Sequence, residues 1–130
     1  MLIPTKFVEI LGDNPFKLFV WGRDKCLYAM SREEFEYFST HLKLKELDKA
    51  DARKIKRGLF SNAEDIEMDA QNRILIPAAM RAHAHLQRDV VVVGSDKRVE
   101  LWDFDTWNAE TNSDLDVTAD KIGEFPEDYD

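Results

Sequence analysis

The strongest limit on the fold is that the chain repeats itself. Leu18 to Phe35, "LFVWGRDKCLYAMSREEF", and Val90 to Trp107, "VVVVGSDKRVELWDFDTW", match at a constant offset of 72. Gly22 meets Gly94, Asp24-Lys25 meets Asp96-Lys97, Ser31 meets Asp103 and Phe35 meets Trp107. Earlier in each unit "MLIPTKFVEIL" meets "ILIPAAMRAHAHL" at an offset of 73, so the loop between differs by one residue. A β-rich unit of about 40 residues buries too little surface to fold alone. The two copies are therefore expected to pair around a pseudo-twofold axis.

Within each unit the local chemistry gives the elements. Pro4 and Pro77 suit a first helical position, where the missing N–H is no loss. "LFVW", "KCLYAM", "VVVV" and "RVELW" are β-branched or aromatic runs around turn residues and read as two hairpins. Ser31 with Glu34 forms a capping box, and Asp103 is the equivalent N-cap. Leu42 to Leu59 is expected to be one helix, with Lys45, Lys49, Arg53, Lys56 and Arg57 near one face. Trp102, Phe104 and Trp107 read as a core corner rather than a stacking platform. The organisation is then a first repeat over 1–41, a connecting helix and linker over 42–63, a second repeat over 64–112 and an acidic, disordered tail over 113–130.

Charge enters because a net −8 argues against nucleic acid, yet its distribution is uneven. Ser113 to Asp130 holds seven acids and one lysine, whereas Lys43 to Arg57 holds seven bases against three acids. A lone Cys26 excludes an internal disulfide and points to a reducing, cytoplasmic compartment. The apolar runs are too short to span a bilayer as helices. His83 and His85 stand two apart in a predicted helix and point away from each other, so no shared metal is expected. With no phosphate loop or nucleophile motif, the chain shows no catalytic set, cofactor or small-molecule substrate.

One polar pair stands out. Asp69 precedes Arg73 by four residues, with turn-forming Asn72 between them. Arginine can read guanine O6 and N7, worth about 1–3 kcal/mol of discrimination. Asp69 would then hold the guanidinium or accept from a cytosine amine. An ordinary surface ion pair has the same spacing, and on spacing alone it is the better reading. The basic helix face has the same two readings, a phosphate contact or a solvated face.

"DAQNRILIPAAMR" followed by "VVVVGSDKRVELWDFDTW" resembles the second half of the MraZ family of bacterial transcriptional regulators, and the likeness runs to the acidic tail. The resemblance implies a β-rich α+β fold, with two tandem SpoVT-AbrB-like repeats closing into a pseudo-twofold, swapped-hairpin (AbrB/MazE-like) barrel with peripheral helices. It implies a homo-oligomeric ring, associated with the nucleoid. Such a ring binds repeated double-stranded DNA elements at the promoter of the division and cell-wall gene cluster. The family's Asp-x-x-x-Arg carries over to Asp69 and Arg73, with Asn72 where the family commonly has glycine. Lys49, Arg53, Lys56, Arg57 and Arg81 become auxiliary phosphate contacts. Asn tolerates the left-handed backbone such a turn needs. The first copy shows no such pair before its Ile-Pro step, and Val8 stands where the second copy has Arg81. The expectation is that Met1 is an internal or misassigned start. The rival is a short variant whose second copy alone reads DNA. A different class of function, an oligomeric interaction module without DNA binding, is favoured by the net charge and the tail.

Overall fold

A computed structural model describes residues 1–12 and 14–121. It is an α+β arrangement with a five-stranded antiparallel sheet. Helix α1 (Thr5–Leu11) precedes a hairpin of β1 (Phe16–Phe19) and β2 (Leu27–Met30), followed by α2 (Arg32–Thr40) and α3 (Lys49–Asn62). Strand β3 (Glu64–Ile66), α4 (Ala78–His83), the hairpin of β4 (Val90–Ser95) and β5 (Arg98–Asp103), and α5 (Phe104–Lys121) complete the order.

The repeats meet through β2 and β5, and their register carries the symmetry. Tyr28 and Glu100 are each other's repeat equivalents, and they lie directly opposite one another. The same holds for Met1 and Ile74: the Ile74 N–H donates to the Met1 carbonyl at 2.7 Å, and the Met1 amine donates back at 2.6 Å. Two self-equivalent pairs define a local twofold between the copies.

The sheet does not close into the expected swapped-hairpin barrel. Its order is β3-β1-β2-β5-β4, so β3 and β4 are its two edges. The other inter-repeat pairings are β1 with β3 and Leu2 with Arg73, the latter an isolated bridge. Pro4 and Pro77 both occupy the N-cap, with extended ψ of 139° and 143°, rather than the expected first helical position.

Both sheet faces are covered, which explains why β2 is buried along its whole length. Leu18, Leu27, Val99 and Leu101 face α1 and α4 with Phe7, Leu11 and Met80 in one cluster. Phe19, Tyr28 and Met30 face the other way, packing with Phe35 and Leu59. Cys26 belongs to this second cluster, where burial pushes its thiol up to about 12. It is therefore neutral and a packing residue. Trp102 packs against the same cluster and lies 5.7 Å from the Trp107 ring. Phe104, expected in that corner, is instead exposed.

The helices correct two further expectations. The segment 42–59 is not one helix: Leu42 to Leu47 forms tight turns, and α3 starts after Asp48, whose carboxylate caps the Asp51 N–H at 2.7 Å. Lys45 therefore lies off the helix. The tail expected to be disordered over 113–130 is helical through Lys121. Asp103 caps the Thr106 N–H at 3.2 Å, and no Gly or Pro interrupts the chain before Gly123. The rest of that tail, residues 122–130, lies outside the described residues.

Matched glycines do different work in the two copies. Gly22 has φ of 62° with open space around it, so it serves the turn. In the second copy Asp96 takes the left-handed position, at φ 57°, and Gly94 instead leaves room for the Phe7 ring. A Cβ on Gly94 would fall 2.6 Å from a Phe7 ring carbon. Gly94→Val is expected to cost about 1–3 kcal/mol through overpacking. Gly22→Ala is expected to cost about 1–2 kcal/mol through backbone strain alone. A compensating Phe7→Leu should recover part of the first loss and none of the second, as read by urea denaturation.

Candidate nucleic-acid interface

The segment after β3 folds back on itself and is closed by Asp69. Its Oδ1 accepts from the Gln71 N–H at 2.8 Å and from the Arg73 N–H at 2.9 Å. The Asp69 N–H donates to the Arg73 carbonyl at 3.0 Å, as does the Asn72 N–H to the Asp69 carbonyl. Asn72 completes the turn at φ 62°, the left-handed conformation expected of it. The other carboxylate oxygen lies 3.3 Å from Arg73 Nε, and both side chains remain more than half exposed. Asp69 thus ties down both the backbone and the Nε of Arg73.

The Arg73 amide first, then the Gln71 amide, hold the Asp69 carboxyl below the ordinary carboxylate range. The sign follows from linkage. A depressed value stabilises the turn above the unfolded carboxylate's value, and that contribution is lost as pH falls through the folded one.

Two neighbouring features escaped the sequence reading. Asn14 brackets Met68, donating to its carbonyl at 2.8 Å and accepting from its N–H at 2.9 Å. No local signal marks a contact across 54 residues. Second, Ile74 and Ile76 point into the core, so Arg73 and Leu75 point out, with Leu75 83% exposed. Leu2, its repeat equivalent, is exposed opposite Arg73. The matching "LIP" steps carried that signal.

The remaining candidates sit elsewhere. Lys49, Arg53, Lys56 and Arg57 are exposed on α3 and share no hydrogen bond or ion pair with the Asp69–Arg73 turn among the described residues. Arg81 is half-buried in the last turn of α4. Among the described residues no group of three or more His, Cys, Asp or Glu is arranged to hold a metal ion.

Comparison with known proteins identifies the family. A family model for the MraZ protein matches residues 59–121, which include the Asp69–Arg73 turn. The protein named transcriptional regulator MraZ from Thermoanaerobacter sp. strain X514 is 40% identical over 128 residues, covering 98% of this chain and 87% of the relative. The same-named protein of Thermoanaerobacter pseudethanolicus is 40% identical over 124 residues, covering 95% and 85%. That of Lachnoclostridium phytofermentans is 37% identical over 125 residues, covering 96% and 86%. Identity of this order along nearly the whole length shows that the chain belongs to the MraZ family.

Proposed function

We propose that this chain is a transcriptional regulator that binds double-stranded DNA through the Asp69–Arg73 turn. The observation that carries the reading is an exposed arginine whose backbone and Nε are both fixed by one carboxylate. Fixing a guanidinium before binding lowers the ordering cost of a bidentate base contact. In this reading Arg73 reads a base edge, Asp69 and Asn72 hold it, and Asn14 keeps the turn against the sheet. The relatives' name supports a role in transcription. The target proposed is the promoter of the division and cell-wall genes, read through repeated elements. A cytoplasmic, nucleoid-associated homo-oligomeric ring would present several turns to such repeats and bind with avidity.

The test is fluorescence anisotropy against DNA from upstream of the gene, with scrambled DNA as control. The parent should prefer its own DNA, with log affinity falling linearly in log salt. Arg73→Ala should lower that preference by about 10- to 100-fold, the equivalent of one base contact. If the variant keeps the parent's preference, Arg73 is not the reader. If the parent shows no preference at all, the alternative of an interaction module replaces this reading.

A further inference from the structure

We propose that the distal half of α5 docks on the basic stripe of α3 in a second copy of this chain. The inference gives a surface to the oligomer proposed above and rests on that part of the reading, but not on DNA binding.

On α3, Lys49, Arg53, Lys56 and Phe60 stand at helical spacings of four, three and four and share one face. The three cations are exposed, none is in an ion pair among the described residues, and Phe60 is 54% exposed. No acid lies on that stripe: Asp51 falls on the far side of the helix. An apolar ring on a cationic face wants a partner that is both acidic and apolar. A phosphate backbone supplies only the charge.

Helix α5 has that combination. Its first turns are fastened to their own chain, by Trp107 against Trp102 and by Glu110, which lies 3.7 Å from Lys25. From Asn112 to Lys121 every residue is exposed. Val117, 55% exposed, stands three residues before Asp120 and shares its side of the helix. Asp116 stands one turn before Asp120 on that same side. The charges of the two helices are complementary, and each carries a partly exposed apolar residue next to them, Phe60 with its ring edge-on to Phe35. Because the α3 and α5 surfaces differ, the contact is head-to-tail and propagates from copy to copy, closing when the rotation allows.

The test is the mass of the full chain by light scattering after size exclusion. The parent should form an assembly that shrinks as salt rises, because the contact is partly ionic. Asp116→Lys with Asp120→Lys should give the mass of a single chain. Lys49→Glu, Arg53→Glu and Lys56→Glu together should do the same. Both sets in one chain, or an equal mixture of the two variants, should restore the assembly. This rescue separates docking from misfolding. The proposal is overturned if either charge reversal leaves the mass unchanged, if neither combination restores it, or if the α3 variant only loses DNA affinity. A parent that is a single chain at every concentration overturns the oligomer reading as well. An intact assembly in both reversals overturns this docking surface alone.

Discussion

Leu101→Ala is expected to cost about 2–5 kcal/mol, and the weakened protein should still unfold in one transition. Leu101 is completely buried and lies opposite Leu27 in the β2–β5 ladder that joins the repeats. The next pair on the same face, Ala29 with Val99, is smaller, so little side-chain volume is available to fill a hole left by Leu101. The core cluster around it takes residues from both copies, among them Phe16 and Leu18 from one and Ile76 and Met80 from the other. Neither copy can lose its half of that cluster and keep the rest. The measurement is urea denaturation followed by fluorescence and by circular dichroism. The midpoint should fall with an unchanged slope. Separate transitions by the two probes would mean that the repeats fold independently, and the seam would not be the core of the protein.

That the two copies pair was legible in advance, because a repeat at offset 72 makes β1 the counterpart of β4 and β2 the counterpart of β5; which counterparts meet was not. The β-branched and aromatic runs around turn residues then gave the four strands, and Ser31 and Asp103 gave the starts of α2 and α5. What a repeat cannot reveal is where equivalence ends. Gly22 and Gly94 match in sequence, yet one serves a left-handed turn and the other a ring from α1, which depends on a contact 87 positions away. The openness of the sheet was also hidden, since nothing in the repeat shows that β3 and β4 stay at its edges. Tail composition misled for a related reason. Acidic residues interrupted by Gly123 and Pro126 suggest a solvated coil, but a capped helix with no Gly or Pro inside it can run past the body that started it. At the candidate interface, the Asp69–Arg73 spacing and the left-handed Asn72 were readable. The Asn14 bracket was not, because a lone Asn carries no record of a partner so far along the chain.

Phe16→Ala carries the largest expected loss, about 3–5 kcal/mol against a total stability of roughly 5–15 for a domain. Phe16 is fully buried and sits opposite Ile66, the single buried residue of β3. The other two residues of that strand, Glu64 and Asp65, are exposed, and Asp65 is held to β1 by an ion pair 2.9 Å from Lys17. Exposed pairs of this kind contribute at most about 1 kcal/mol, so the side-chain anchor of β3 is the Phe16–Ile66 contact. Asp69 follows Ile66 by three residues, which ties the geometry of the turn to a ring on its opposite side. Hydrogen exchange can separate the two consequences. With the variant still mostly folded, the amides of Glu64, Asp65 and Ile66 should lose protection relative to β2 and β5. If Gln71 and Arg73 lose protection with them, the turn depends on the strand. If they keep it, the two Asn14 bonds to Met68 hold the turn without β3, and Asn14→Ala should then be the substitution that releases it.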